Sequence, residues 1–372
     1  MAILHDPDEA ARNGGRAAAR PSESTGNNGR DLSPRARALW RAAQYMVLAA
    51  GAALVWLLAF RPAVGIAIMW NILIPAAPAL VTLVPGLWRN ICPMATMSLL
   101  PRKLGLSKRR KMPERLAAWL GLLSVVALFA IVPLRHVSLN TDGPATAAML
   151  ATAAAIAALL GFAFEWRSGW CTSLCPIHPV EKLYGSAPAF TFKNARCVLC
   201  ELCTNPCPDS TPSMTPLSMS PQALPLRITV GEFMAGSFFG FVWGWFQVPD
   251  YPGAIGWQEI AAAYLWPFGG ALVSLAAFKA IRRLAAGTPG ASRIVQRAFA
   301  AAAVSTYYWY RIPALTGFDP RSGVLYDFTA HLPAWFPLAS HIATTSFFFW
   351  FLVIRQVRGV SWQRRPEFAR GV

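Results

Sequence analysis

Four cysteines stand close together near the middle of the chain, as Cys197-x2-Cys200-x2-Cys203-x3-Cys207, with Pro208 directly after the last. Thiolates at i, i+3 and i+6 can each take a different iron of one cubane, and this run is the bacterial ferredoxin spacing. The backbone amides between them then point at the sulfides and offset the negative charge. Proline has no N–H and a fixed φ, so it turns the chain away after the fourth ligand. Tetrahedral zinc usually takes two separated pairs of ligands instead. The spacing therefore points to a 4Fe–4S cluster.

Three more cysteines complete the seven. Cys171 and Cys175 lie in Gly169-Trp170-Cys171-Thr172-Ser173-Leu174-Cys175-Pro176, and Cys92 in Gly86-Leu87-Trp88-Arg89-Asn90-Ile91-Cys92-Pro93. The two stretches match as a short internal repeat ending in Cys-Pro, with Trp88 where the second copy has Cys171. In two-cluster ferredoxins the fourth cysteine of the run serves the other cluster, and two full cubanes need one thiolate more than this chain has. Three accounts are open. One cluster has four thiolates and the other three plus an oxygen or imidazole ligand, with His178 or Asp209 as candidates; or there is a single cluster and the other cysteines are structural; or a cluster is shared with a partner chain. The working assignment puts Cys197, Cys200 and Cys203 with Cys175 or Cys207 on one cluster. Cys171, Cys92 and the remaining member of that pair fall on a second.

Elements that hold such loops must be sought in the rest of the chain. Of 372 residues 55% are hydrophobic and 14% charged, where a soluble protein has about 25% charged. A run of about 20 apolar residues crosses a bilayer as a helix. Eight candidates appear: Trp40–Phe60, Ala63–Val84, Leu116–Leu134, Ala145–Phe164, Phe233–Val248, Ile260–Ala280, Ile294–Leu315 and Trp335–Ile354. The expected fold is an all-α integral membrane bundle of about eight transmembrane helices, with a small ferredoxin-like, cysteine-rich cytoplasmic loop region. It divides into a disordered cytoplasmic arm (1–38), a four-helix membrane half (39–165) with a Cys-Pro loop (86–115), an iron–sulfur region (166–231), a second four-helix half (232–356) and a cytoplasmic tail (357–372).

Charge sets the orientation. The net charge of +17 would suit nucleic-acid binding, but the cations sit in clusters beside the apolar runs. With both termini on one side, only Arg61, Arg135, Arg311 and Arg321 of the 34 Lys and Arg residues fall on the other. The positive-inside rule then makes the termini and all seven cysteines cytoplasmic, in a bacterial-type inner membrane. The cytoplasm is reducing, so metal explains the cysteines better than disulfides do.

On Cys171–Pro176, Cys197–Pro208 and the degenerate Trp88–Pro93, the chain resembles the membrane polyferredoxin family of the NapH, NosR and FixG type, over about residues 40–210. The resemblance implies one or two 4Fe–4S clusters and electron transfer between the quinone pool, or a cytoplasmic donor, and a partner redox enzyme. Many members carry two full ferredoxin runs where this chain has one, and the resemblance does not account for the last four spans.

Other chemistry is thinly represented. His136 and His341 are read as an outer-loop and a last-span histidine; a haem between them is disfavoured against surface hydrogen bonding, and no Cys-x-x-Cys-His exists for c-type haem. Nothing indicates FMN. The stretch Tyr307–Arg311 is read as an interfacial aromatic belt before a quinone pocket. Lys108–Lys111 is expected at anionic headgroups. No nucleophile elbow, phosphate loop or carboxylate pair suggests catalysis by the chain itself, and no catalytic residue is assigned. The expected role is an electron carrier or oxidoreductase subunit with membrane lipid, quinone or quinol and redox proteins as partners. The rivals are a metal-reducing assembly factor of the copper-oxidase type, supported by Met94, Met97, Met214 and Met219, and a redox sensor.

Overall fold

The computed structural model describes residues 32–164, 167–197, 225–251, 253, 256–319, 323–355 and 362–364. Proline punctuates the first half. Ser33 caps α1 (Pro34–Phe60) by accepting the Ala36 N–H at 3.2 Å, and Pro34 occupies the first turn, where no N–H is needed. Pro62 forces Arg61 out of the helical region and opens α2 (Pro62–Leu83). Val84-Pro85 repeats the device to open α3 (Pro85–Ile91), and Cys92-Pro93 repeats it again to open α4 (Pro93–Lys103). Next come α5 (Glu114–Leu139) and α6 (Gly143–Ala163), the latter capped by Asp142 on the Ala145 N–H. A π-helical segment, Arg167–Leu174, leads to α7 (His178–Tyr184) and the short strand β1 (Phe192–Lys193). Then follow α8 (Pro225–Trp245), α9 (Trp257–Leu284), α10 (Ala291–Leu315) and α11 (Phe336–Ile354). The strand β2 (Gln363–Arg364) pairs in parallel with β1.

Six of these helices, α1, α2, α5, α6, α9 and α11, are long and apolar enough to cross a bilayer. The chain is thus a helical multi-pass membrane protein. Exposed apolar side chains on these helices, such as Trp56, Trp119, Leu123, Leu272, Val273 and Ile342, form the surface for lipid. The other two apolar runs of the sequence are also helices, α8 and α10, of 21 and 25 residues, but they do not join the six. Their surroundings explain why. Both lie among other helices, and α8 buries Met234, Ala235, Phe238 and Phe241. Residues facing protein need not be as apolar as residues facing lipid.

The fifth apolar run also begins earlier than its composition indicates, at Pro225 rather than Phe233. Arg227 and Glu232 break the hydropathy of its first turns, and Glu232 is paired with Arg282 of α9 at 3.2 Å. Small residues let α8 and α9 touch backbone to backbone. A Cβ on Gly240 would overlap the Gly270 carbonyl, and one on Gly244 would overlap that of Trp266.

The main core joins both halves of the chain. Phe129 of α5 packs at a tilt against Phe241 of α8 with centroids 4.1 Å apart. Tyr308 of α10 inserts its hydroxyl into α2, donating to the Pro75 carbonyl and accepting the Ala79 N–H, each at 2.9 Å. Pro78 lies between these two groups, and the hydroxyl fills the opened helical ladder.

The end of the bundle opposite the cysteines is closed by a polar lock. The Arg135 guanidinium lies between the Trp70 and Trp245 rings, at 3.9 and 4.7 Å. Its Nε donates to Asn140, whose amide reaches Asp250 at 2.7 Å. His136 is buried in the π-helical end of α5 rather than in a loop. Its Nδ1 meets Asp250 at 2.7 Å and its Nε2 meets the Trp245 carbonyl at 3.0 Å. Arg311 donates to the Trp70 carbonyl at 2.5 Å and to Asn71 at 2.7 Å. His341 of α11 bonds the Trp309 carbonyl at 2.8 Å. The two histidines considered for haem are therefore engaged with separate protein partners.

Candidate metal centre

Both Cys-Pro turns have the same local logic. The residue before proline is kept out of the helix, so Cys92 caps α4 with extended backbone (φ −48, ψ 122). Its sulfur accepts the Ala95 N–H in the first turn of α4. Cys175 closes the π-helical segment, its own N–H bonded to the Trp170 carbonyl at 3.0 Å, and its sulfur accepts the Ile177 N–H at the entry to α7. Each sulfur thus sits where a backbone amide favours negative charge.

The turns bring their cysteines together. Cys171 is buried with Trp170, Ala95, Leu99 and Ala157, and Cys92, Cys175, Met94 and Leu174 pack against that cluster. Burial pushes the Cys92 thiol up and the Cys175 thiol well up, and the Glu181 carboxylate adds to both shifts. Without a metal these thiols keep their protons; a metal that binds them must displace those protons. The described cysteines form no disulfide.

A buried polar frame stands behind the sulfurs. Glu181 of α7, 2% exposed, accepts from Trp88 Nε1 at 2.7 Å and from Arg89 at 3.2 Å, both on α3. Burial alone would raise the Glu181 pKa; the Arg89 guanidinium and the His178 and Trp88 hydrogen bonds outweigh it and hold the carboxyl below its usual value. His178 Nδ1 faces the same carboxylate at 3.4 Å, and burial lowers its pKa to about 4, so the ring is neutral at pH 7. Trp88, the position matching Cys171 in the repeat, therefore ties the first turn to the helix that follows the second.

Arg196 carries the connection to the ferredoxin run. It is fully buried and donates to the Arg89 carbonyl at 3.2 Å, the Cys92 carbonyl at 3.0 Å and Thr96 Oγ1 at 3.1 Å. Its neighbour Cys197 is half-buried. Asn90 accepts from the Ala195 N–H and donates to the Lys193 carbonyl. A strap from the chain's end closes this side. Trp362 Nε1 donates to the Gly185 carbonyl at 2.7 Å, and Gln363 reaches Gly86 and Asn90. Lys182 lies over the Trp362 ring at 3.9 Å.

Of the seven cysteines read as ligands, Cys92, Cys171 and Cys175 are gathered, and Cys197 is tied to the same frame through Arg196. Cys200, Cys203, Cys207, Asp209, Met214 and Met219 lie outside the described residues, as do residues 1–31 of the arm and most of the tail. Among the described residues no three His, Cys, Asp or Glu side chains are placed to hold a single metal ion. The gathered sulfurs lie against an apolar wall, with backbone amides at Cys92 and Cys175 and the Arg89 and Arg196 guanidinium groups close to the Cys92 turn.

Sequence reasoning did not single out Glu181, Arg89, Arg196 or the Trp362 strap. They are isolated polar or aromatic residues with no spacing signal. The one available hint was that Arg89, Asn90 and Glu181 flank the two Cys-Pro turns. No protein-family model, curated protein or solved structure matches the chain.

Proposed function

We propose that this protein is an iron–sulfur electron carrier of the membrane polyferredoxin type, working at the inner face of a bacterial-type plasma membrane. The carrying observation is that the ferredoxin-spaced run begins at Cys197, beside the buried Arg196 that clamps it to the turn holding Cys92, with Cys171 and Cys175 in the same pocket. When bound, a 4Fe–4S cluster supplies one-electron transfer. Cys197, Cys200, Cys203 and Cys207 are the proposed ligands of one cluster, and Cys92, Cys171 and Cys175 of a second. Arg89 and Arg196 bring positive charge to a site that thiolates would make negative, while Trp170, Leu99 and Ala157 exclude water. In this reading α8 and α10 are the two further spans, making eight, with both termini and every cysteine on the cytoplasmic side.

Placement limits the partners. About 30 Å of hydrocarbon separates the cysteine end from the opposite face, too far for one tunnelling step. The carrier therefore exchanges electrons with quinol near the inner leaflet or with cytoplasmic redox proteins. Anaerobic purification, iron and sulfide analysis and EPR of the reduced protein test the reading. Stoichiometric iron and sulfide with a reducible cluster signal are expected; zinc, or no metal, would remove it. A cluster signal indifferent to added quinol would remove only the quinone branch.

One observation favours the metal-reducing assembly factor as a second reading: Met94 packs beside the three gathered cysteines. Copper-dependent oxidation of the reduced protein would support it.

A further inference from the structure

Cations collect without acids where α10 begins and α11 ends. From Ile260 to Phe318 the chain has no Asp or Glu, yet it carries Lys279, Arg282, Arg283, Arg293, Arg297 and Arg311. Arg355 directly follows α11, a helix long and apolar enough to cross a bilayer, and so falls at headgroup level. Its Nη2 donates to the Ala187 and Pro188 carbonyls, the latter at 3.2 Å, and its guanidinium lies over the Phe351 ring at 3.9 Å. These contacts fix the side chain without neutralising it. Arg293 and Arg297 stand one turn apart on α10, and the charges that act on Arg297 are those of Arg293 and Arg355.

Among the described residues no carboxylate pairs with Arg297 or Arg355. Glu181 of α7 is taken by Arg89, and Glu232 of α8 by Arg282. The Nε atoms of Arg297 and Arg355 are buried and have no hydrogen-bond partner among those residues. Like charges held together away from bulk water repel strongly. An anion among them offsets that repulsion, and guanidinium forks match a phosphate in both charge and geometry. The neighbouring side chains say which phosphate. Ile294 and Ile354, next to Arg293 and Arg355 in the chain, are 49% and 67% exposed. Apolar surface beside cations at the rim of a membrane helix suits the acyl chains of a lipid; a free phosphate has no use for it.

We propose that Arg293, Arg297 and Arg355 bind the phosphodiester of one resident anionic phospholipid, whose acyl chains run along Ile294 and Ile354. The site lies apart from the cysteines and does not depend on the electron-carrier reading.

The test is thermal unfolding and native mass spectrometry of the delipidated full chain in neutral detergent, with phosphatidylglycerol, phosphatidylcholine or inorganic phosphate added. The expected result is one tightly held phosphatidylglycerol and a Tm that rises with that lipid alone. Arg297→Gln breaks no ion pair among the described residues and relieves the repulsion. Without lipid it is therefore at least as stable as the parent, while its affinity for phosphatidylglycerol falls about tenfold or more. A merely structural arginine would give the opposite, a lower Tm with lipid binding unchanged. Lys111→Gln, which removes an exposed cation elsewhere, leaves the affinity alone. An equal response to phosphatidylcholine or to inorganic phosphate, an equal loss in Lys111→Gln, or no bound lipid overturns the site. The lipid series on the parent protein decides the matter should a variant fail to fold.

Discussion

The two ends of the bundle bury polar groups in different ways. At the end away from the cysteines, hard donors and acceptors answer one another: Arg135 with Asn140, Asn140 and His136 with Asp250, Arg311 with Trp70 and Asn71. At the cysteine end a similar frame exists, built on Glu181, Arg89, Trp88 and Arg196, but it backs a wall of thiols. A closed hydrogen-bond network fixes helices relative to one another. Soft sulfur donors add little to such a network, and burial makes the thiols of Cys92 and Cys175 hold their protons more tightly. The comparison separates a polar network closed on itself from one that stands behind buried thiols, and the proposed function gives the second a group to hold.

Substitutions can break that contrast from either side. The largest effect is expected for Cys171→Ser, which should abolish the iron proposed for the gathered cysteines while that proposed for the ferredoxin run stays; iron analysis and EPR check this. Equal loss from Arg311→Leu would erase the distinction. That variant is instead expected to leave iron content unchanged and lower stability by about 1–3 kcal/mol for each acceptor stranded, at the Trp70 carbonyl and Asn71, read as a lower Tm in detergent. Gly240→Ala forces a methyl into the Gly270 carbonyl and should cost about 1–3 kcal/mol, again without touching the iron. Arg196→Gln tests the reverse. It removes the donors to Cys92 and Thr96, so cluster loss to a chelator should quicken by more than the change in Tm accounts for.

The smallest effect concerns pH. Thr329 donates through both its hydroxyl and its N–H to Asp327, on the far end, and holds that carboxyl below its usual pKa. A depressed carboxylate contributes above the unfolded-state pKa and loses that contribution as pH falls through the folded one. Hydrogen exchange of the 323–329 loop should therefore speed up only at pH below about 4, and Asp327→Asn should remove the dependence. Iron at the cysteine end should not follow Asp327.

Much of the fold was legible because lipid imposes a simple demand on sequence: long apolar runs with charges at their ends. Six runs met it, and their helices lie where composition placed them. α8 and α10 blur the signal because they face protein. Glu232 interrupts the hydropathy of the fifth run, and its partner Arg282 lies fifty residues away. The π-helical turns at Met69–Leu73, Arg135–Leu139 and Arg167–Leu174 have no compositional mark, since one extra residue per turn leaves hydropathy unchanged. At the candidate centre the Cys-Pro repeat was readable from spacing alone. The Glu181 and Arg196 contacts were not, because they join residues roughly ninety or more positions apart.

The Gly240–Gly270 crossing has a consequence for how the chain is made. In the eight-span reading, α8 carries Arg227 and Glu232 into the bilayer, and has less reason than α9 to leave the insertion machinery when it first emerges. Its partner α9 is long and apolar enough to cross a bilayer and supplies, through Arg282, the counter-charge to Glu232. The two should partition as a hairpin. A nascent chain stopped before α9 is synthesised would then leave α8 at the ribosome side of the bilayer, where an alkali wash could extract it.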